Sequence, residues 1–212
     1  LEALEHRGAC GCDPLTGDGA GVLTHVPHEF FAAVCGEAGI KLPAPGSYGA
    51  GMVFLPEGSE EGRRARRILE RAVAEAGLKV LGWRDVPLDP RHCGNVSLAV
   101  KPHIAQIFVG QPVPGKPDEA ALERRLYLAR KIAERNALAA GGGVAQHFYV
   151  CSLSARTMVY KGMLISTQLR GFFPDLADPR FKSAIALVHS RFSTNTLPTW
   201  RLAHPFRYLA HN

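Results

Sequence analysis

The sequence predicts a globular domain that mixes helices with strands, and three observations carry that reading. Two stretches, 59–76 and 118–140, repeat apolar residues at helical spacing. Short runs rich in β-branched and aromatic residues lie before, between and after them. Of the 212 residues, 46% are hydrophobic and 21% charged, a balance that excludes disordered, collagen-like and fibrous classes. A chain of this length buries a real core as one large domain or two small ones.

Taken in order, residues 8–21, GACGCDPLTGDGAG, hold five glycines, two aspartates and a proline and read as a loop that turns repeatedly. Strands are expected at 22–26 and 50–55. A helix then starts at Ser59, with Glu60 and Glu61 in its first turn where the macrodipole favours anions. Ala65, Ile68, Leu69, Ala72, Val73 and Ala76 form its apolar stripe, and Gly77 ends it. With a strand at 78–83 this makes a β-α-β unit. Arginines 63, 64, 66, 67 and 71 lie on or beside the outer face and read as a solvated surface, because Glu70 and Glu75 interrupt them. Strands are expected at 96–100 and 104–109, followed by the proline-rich linker QPVPGKPD. The second helix follows Asp118, buries Leu122, Leu126, Ala129 and Ala133, and stops at Gly141-Gly-Gly143. Runs 144–152, 157–165 and 183–190 read as strands.

Several function classes are disfavoured. No apolar run approaches the ~18 residues that cross a bilayer, and the first residues, LEALEHR, lack the apolar stretch of a secretory signal. Five cysteines are too sparse for a disulfide framework and suit a reducing cytoplasm. Cys10-Gly-Cys12 has no matching pair, so no metal site is expected. The run Thr16-Gly-Asp-Gly-Ala-Gly21 lacks phosphate-loop spacing and precedes a strand rather than a helix. A start without Met and an end at His211-Asn212 read as a piece cut at both ends.

The segment ALVHSRFSTNTLPTW (186–200) differs in kind. An apolar strand delivers His189, Ser190, Arg191, Ser193, Thr194 and Asn195 in one short turn, and Pro198 bars continuation of the ladder. Arg191 offers a planar fork to a carboxylate, with hydroxyls and an amide beside it. By itself this reads equally as a ligand pocket or an exposed loop.

Four blocks, HRGACGCDPLTGDGAG (6–21), GWRDVP (82–87), SLSARTMVYKGML (152–164) and HSRFSTNTLPTW with AHPFRYLAHN (189–200, 203–212), resemble the glutamine amidotransferase domain of glutamate synthase large subunits, in the same order. The resemblance implies an α+β fold, a four-layer αββα sandwich of the N-terminal-nucleophile hydrolase type, with residues 1–212 as one class II domain truncated at both ends. It implies that a cysteine upstream of HRGA attacks the glutamine side-chain amide while its own α-amine takes the proton, a sensible pairing for a near-neutral amine. Neither Cys10 nor Cys12 occupies that role, so the fragment alone is expected to be inactive. Residue by residue, Arg191 matches the arginine that holds the α-carboxylate, and Phe192 and Thr194 match pocket-lining positions. His204 matches a histidine near the substrate, Asn212 the oxyanion donor, and Arg7 an arginine near the nucleophile. The partners implied are L-glutamine, synthase domains of the same chain, and an NADPH-oxidising subunit or ferredoxin. FMN and an iron–sulfur cluster are implied for the remainder of the protein, with no cofactor in this fragment.

Another class II amidotransferase leaves HRGACG and YKGML unexplained. An inactive amidotransferase-like module that binds glutamine or regulates is the alternative from a different class. A Cys-Gly immediately upstream of Leu1 separates the enzyme from the module.

A formal charge of +6 spread over 212 residues, with glutamates interleaved, releases few counterions. Duplex DNA should therefore bind weakly and without sequence preference at about 150 mM salt. An equilibrium titration that finds a tight, sequence-dependent complex would overturn this.

Overall fold

The computed structural model describes residues 15–112, 118–190, 197–207 and 209. The chain divides into two units: the described parts of Leu1–Pro27, Val86–Lys101 and Val159–Asn212 make the first, and His28–Asp85 with Pro102–Met158 the second. Helices and two sheets make it an α+β protein. No helix among the described residues is long and apolar enough to cross a membrane.

The first unit is built on a three-stranded sheet of β1 (Ala20–His25), β6 (Thr157–Gly162) and β7 (Ala186–His189), in the order β6-β1-β7. β1 and β7 run antiparallel, with Gly21 opposite His189 and Thr24 opposite Ala186. Around the sheet lie α3 (Asn95–Ala99), α6 (Leu169–Phe172) and 3-10 turns at Pro90–His92, Ser166–Gln168 and Pro174–Ala177. Aromatic edges and faces fill its core. Phe173 meets Phe172 at 4.9 Å and Tyr160 at 5.3 Å, both near perpendicular, the arrangement that ring quadrupoles favour. The Tyr160 hydroxyl, buried, donates to Asp175 at 2.9 Å, which removes the cost of burying it.

The other unit holds a four-stranded antiparallel sheet of β2 (Tyr48–Leu55), β3 (Lys79–Asp85), β4 (His103–Gly110) and β5 (Tyr149–Ser154), in the order β3-β4-β2-β5. Alternation along β4 sends Ala105, Ile107 and Val109 to one face, where they pack with Val53 and Leu55 under the stripes of α2 (Ser59–Glu75) and α4 (Glu119–Ala140). Every residue of the α2 stripe expected from the sequence joins this cluster. The Asp118 carboxylate caps α4 by accepting from the Ala121 amide at 2.9 Å. Phe108 points to the opposite face and takes the edge of Phe31 from α1 (His28–Glu37) at 5.2 Å.

Three expectations need correction. The β-α-β unit is split: β2 and β3 both pair antiparallel with β4, which lies between them. The strand expected at 96–100 is the helix α3; the Leu98 amide donates to Gly94 O, and Val96 and Val100, one turn apart, are both more than half exposed. β-branched residues there satisfy neither face of a sheet, so local helix closure wins over propensity. The run 144–152 is divided, because Gly141 and Gly142 take positive φ and restart the chain as α5 (Gly142–His147), leaving β5 to begin at Tyr149. The Gly143 amide is tied to Glu61 Oε1 at 3.0 Å.

Substitutions at two glycines should have opposite signs. A Cβ on Gly21 would lie 2.4 Å from His204 O and 2.8 Å from Tyr160 O, both backbone atoms, so Gly21→Ala should cost about 1–3 kcal/mol. A Cβ on Gly36, inside α1, meets nothing within 4 Å, and Gly36→Ala should gain about 0.5–1 kcal/mol from helix propensity. Urea unfolding of both variants checks the pair.

Candidate active site

The described parts of three blocks that carry the resemblance, residues 15–21, 159–164 and 197–207, are folded together in the first unit. Gly17 lies against the backbone of Leu164 and Ile165, Gly19 against Ala203, and Gly21 against His204 O and Tyr160 O. The glycine-rich run is therefore a seam of close backbone approach, which gives a steric reason for the spacing that fits no phosphate loop. Gly162 sits under the ring of Trp200, where an added Cβ would fall 2.4 Å from Cζ3. The Trp200 indole N–H donates to Ser97 O at 3.0 Å.

His189 ends β7, and His204 precedes Pro205 across a cis peptide bond. Their rings stand 4.6 Å apart at 36°, and His204 meets Phe206 at 4.3 Å. Lys161 extends this stack: its ammonium lies 4.5 Å from the centre of Phe206 and donates to Arg201 O at 2.8 Å. Only 1% of Lys161 is exposed, so the carbonyl and the ring face together replace its lost hydration.

Of the residues expected at the site, the structure describes His204 alone. It is buried within the stack. Arg7, Arg191, Phe192, Thr194 and Asn212 lie outside the described residues. Lys161, Gly162 and Trp200 were not read as part of the site from sequence. One signal for Lys161 was present: an ammonium inside the apolar run TMVYKG requires a partner wherever that strand is buried.

The described cysteines are poor nucleophiles or ligands. Cys35, Cys93 and Cys151 are buried thiols. Burial pushes Cys35 up to about 12, against the pull of Arg84, so its reactive thiolate is scarce at neutral pH. Among the described residues no three His, Cys, Asp or Glu side chains gather as a metal site. A recess of about 460 Å³ in the other unit is lined by Leu55, Pro56, Arg63, Arg66 and His103, among others. Its Arg66 is engaged by Asp85 at 2.6 Å, and His103 by the same oxygen at 2.9 Å. Burial alone would raise the Asp85 carboxyl, but these two bonds hold it below its usual range. The recess thus has Arg66 and His103 drawn to Asp85 and contains none of the expected site residues.

A family model of glutamine amidotransferases, class II, matches residues 1–212, and the chain belongs to that family. Its relatives within the family include glutamate synthases. It is 45% identical over 209 residues to the glutamate synthase (NADPH) large chain of Bacillus subtilis, covering 99% of this chain and 13% of that one. It is 44% identical over 212 residues to ferredoxin-dependent glutamate synthase 2 of Synechocystis sp., and 41% to the chloroplastic ferredoxin-dependent glutamate synthase 2 of Arabidopsis thaliana, each time covering 100% of this chain and 13% of the relative. The chain thus spans about an eighth of the length of these relatives.

The histidine stack makes a pH prediction. Burial lowers the pKa of His189 below its ordinary 6.5, so the unfolded chain takes up this proton before the folded one does. The stability this supplies is fully present above pH 6.5 and is lost as pH falls through the folded value. His189→Phe keeps a ring in the stack and removes the proton site. Between about pH 7 and pH 5, wild-type unfolding free energy should fall more than that of the variant; parallel curves from urea titrations would refute the assignment.

Proposed function

We propose that this chain is the glutaminase domain of a glutamate synthase, hydrolysing glutamine to glutamate and ammonia, with the ammonia passing inside the protein to a synthase centre that converts 2-oxoglutarate to glutamate. The observation that carries this is the match of essentially the whole chain, at 41–45% identity, to glutamate synthases of three organisms. The convergence of the glycine seam, the Lys161 strand and the His189–His204 stack supports it, because residues spread over the sequence blocks meet in one place. The layering we infer is the αββα sandwich of N-terminal-nucleophile hydrolases.

In this reading the thiol of an N-terminal cysteine, upstream of Arg7, adds to the side-chain amide carbon as its own α-amine takes the proton. The tetrahedral oxyanion is met by the Asn212 side-chain amide, a charge-stabilising role for a preorganised donor. The amine returns the proton to the leaving nitrogen, ammonia departs, and water hydrolyses the glutamyl thioester. Arg191 holds the α-carboxylate, Phe192 and Thr194 line the pocket, His204 stands near the substrate, and Arg7 stands near the nucleophile.

FMN and an iron–sulfur cluster belong to the remainder of such a protein, as does an NADPH-oxidising subunit or ferredoxin as electron source. For the cluster, the described Cys35, Cys93 and Cys151 are buried on or beside separate elements, and no three His, Cys, Asp or Glu side chains gather among the described residues to serve as ligands. No step here runs through these groups. Five sparse cysteines lead us to place the reaction in the cytoplasm.

Arg191 gives the test, made in the complete protein. A bidentate guanidinium–carboxylate pair contributes about 1.5–3 kcal/mol, and a lysine ammonium cannot reproduce its planar fork. Arg191→Lys should therefore lower kcat/KM for glutamine by about 10- to 100-fold, while activity with added ammonia stays near wild type. Equal loss of both activities, or no loss with glutamine, would withdraw the assignment.

A further inference from the structure

The helical layer of the unit that contains α2 and α4 segregates its charges. Its acids turn inward or along their own helix: Glu61 accepts from the Gly143 amide, Glu70 from the Trp83 indole at 2.8 Å, and Glu123 from the Ser154 hydroxyl at 2.8 Å. Glu119 pairs with Arg156, and Glu134 with Arg130 and Lys131. The cations face out. Arg63, Arg67 and Arg71 on α2, with Arg124, Arg125 and Arg135 on α4, are exposed and have no ion-pair partner among the described residues. Exposed acids without such a bond on these two helices are Glu60 and Glu75.

The helices run antiparallel, which merges their outer faces. Arg64, near the start of α2, donates to Ala140 O at the end of α4. Just past the end of α2, a Cβ on Gly77 would lie 3.9 Å from the Arg125 guanidinium, in the early part of α4. Arg63, Arg67 and Arg71 follow i, i+4, i+8, and Arg124, Leu128, Arg135 and Leu138 follow i, i+4, i+11, i+14, so each set forms one stripe. Leu138 is 73% exposed, and Tyr127 and Leu128 stand open nearby. Like charges one turn apart repel, and the exposed Glu60 and Glu75 flank the α2 row at its two ends rather than interrupting it.

We propose that this face docks an acidic protein surface, carboxylates flanking an apolar centre. Guanidinium groups are the cations best suited to paired carboxylates, and arginine with exposed aromatic and aliphatic anchors is the composition of a protein interface. Nucleic acid fits less well. Leucines contribute nothing to phosphate binding, and one face of the Tyr127 ring already carries the Arg130 guanidinium at 5.0 Å, which leaves a single aromatic face where strand binding uses successive stacking platforms. The surface belongs to the unit of His28–Asp85 and Pro102–Met158, and its role does not depend on glutamine hydrolysis.

The test uses the complete protein and a synthetic helical peptide of about 20 residues, with a leucine stripe flanked by glutamates. Companion probes replace its glutamates by glutamine, or its leucines by serine, and a DNA duplex serves as a fourth. In fluorescence anisotropy at about 150 mM salt, the Glu–Leu peptide should bind about tenfold or more tightly than any of the other three. The double variant Arg71→Glu, Arg135→Glu should lose about tenfold in that affinity with its unfolding midpoint unchanged, since both positions are exposed. The proposal is overturned if glutamate and glutamine peptides bind equally, if the variant binds as wild type, or if DNA binds as tightly as the peptide and is lost in the same variant.

Discussion

The arrangement of the first unit depends on how closely the backbone at residues 17–21 passes two other segments. Gly17, Gly19 and Gly21 follow period 2, so in extended chain they share a side, and that side is pressed by Leu164, Ala203 and His204. A methyl group at Gly17 would fall 2.3 Å from Leu164 C, well inside contact distance. Side chains elsewhere can repack around an intruding atom; a backbone carbonyl fixed in a sheet or turn cannot. This contact sets where the chain around Ala203 lies, and hence where the His204 ring stands relative to His189.

The same stretch is fixed from other directions by polar groups. Lys161 binds the carbonyl of Arg201 and faces Phe206, while Trp200 covers Gly162 and donates to Ser97 O. Each bond satisfies a group that burial would otherwise penalise. A segment with little regular secondary structure is thereby held from strand β6, the glycine seam and α3 at once. This is how an irregular chain becomes rigid enough to present chemistry, the usual division of labour between scaffold and loop.

Much of the fold was legible in the sequence because the residues that decide it act locally. The α2 stripe, the Asp118 cap and the stop at Gly141 each depend on neighbours within a few positions. The α3 and α5 segments carry β propensity in Val96, Val100 and Val144, and the contacts that add to their local helix closure come from far along the chain, Trp200 for Ser97 and Glu61 for Gly143. The helix α1 was not anticipated; Phe30, Phe31 and Cys35 bury one side of it without a long stripe. For the candidate site, short motifs revealed the family but not the steric purpose of their glycines, since Gly21 acquires its meaning from His204 O, 183 residues downstream.

The split β2-α2-β3 crossover imposes an order on synthesis. A nascent chain emerging from the ribosome has made β2, α2 and β3 by Asp85, yet neither strand has a neighbour until β4, His103–Gly110, emerges to lie between them. β1 waits longer still, since its partners begin at Thr157 and Ala186. For more than a hundred residues of translation, β1 remains unpaired and open to self-association. This topology leaves the newborn chain with open strand edges until the closing strands arrive.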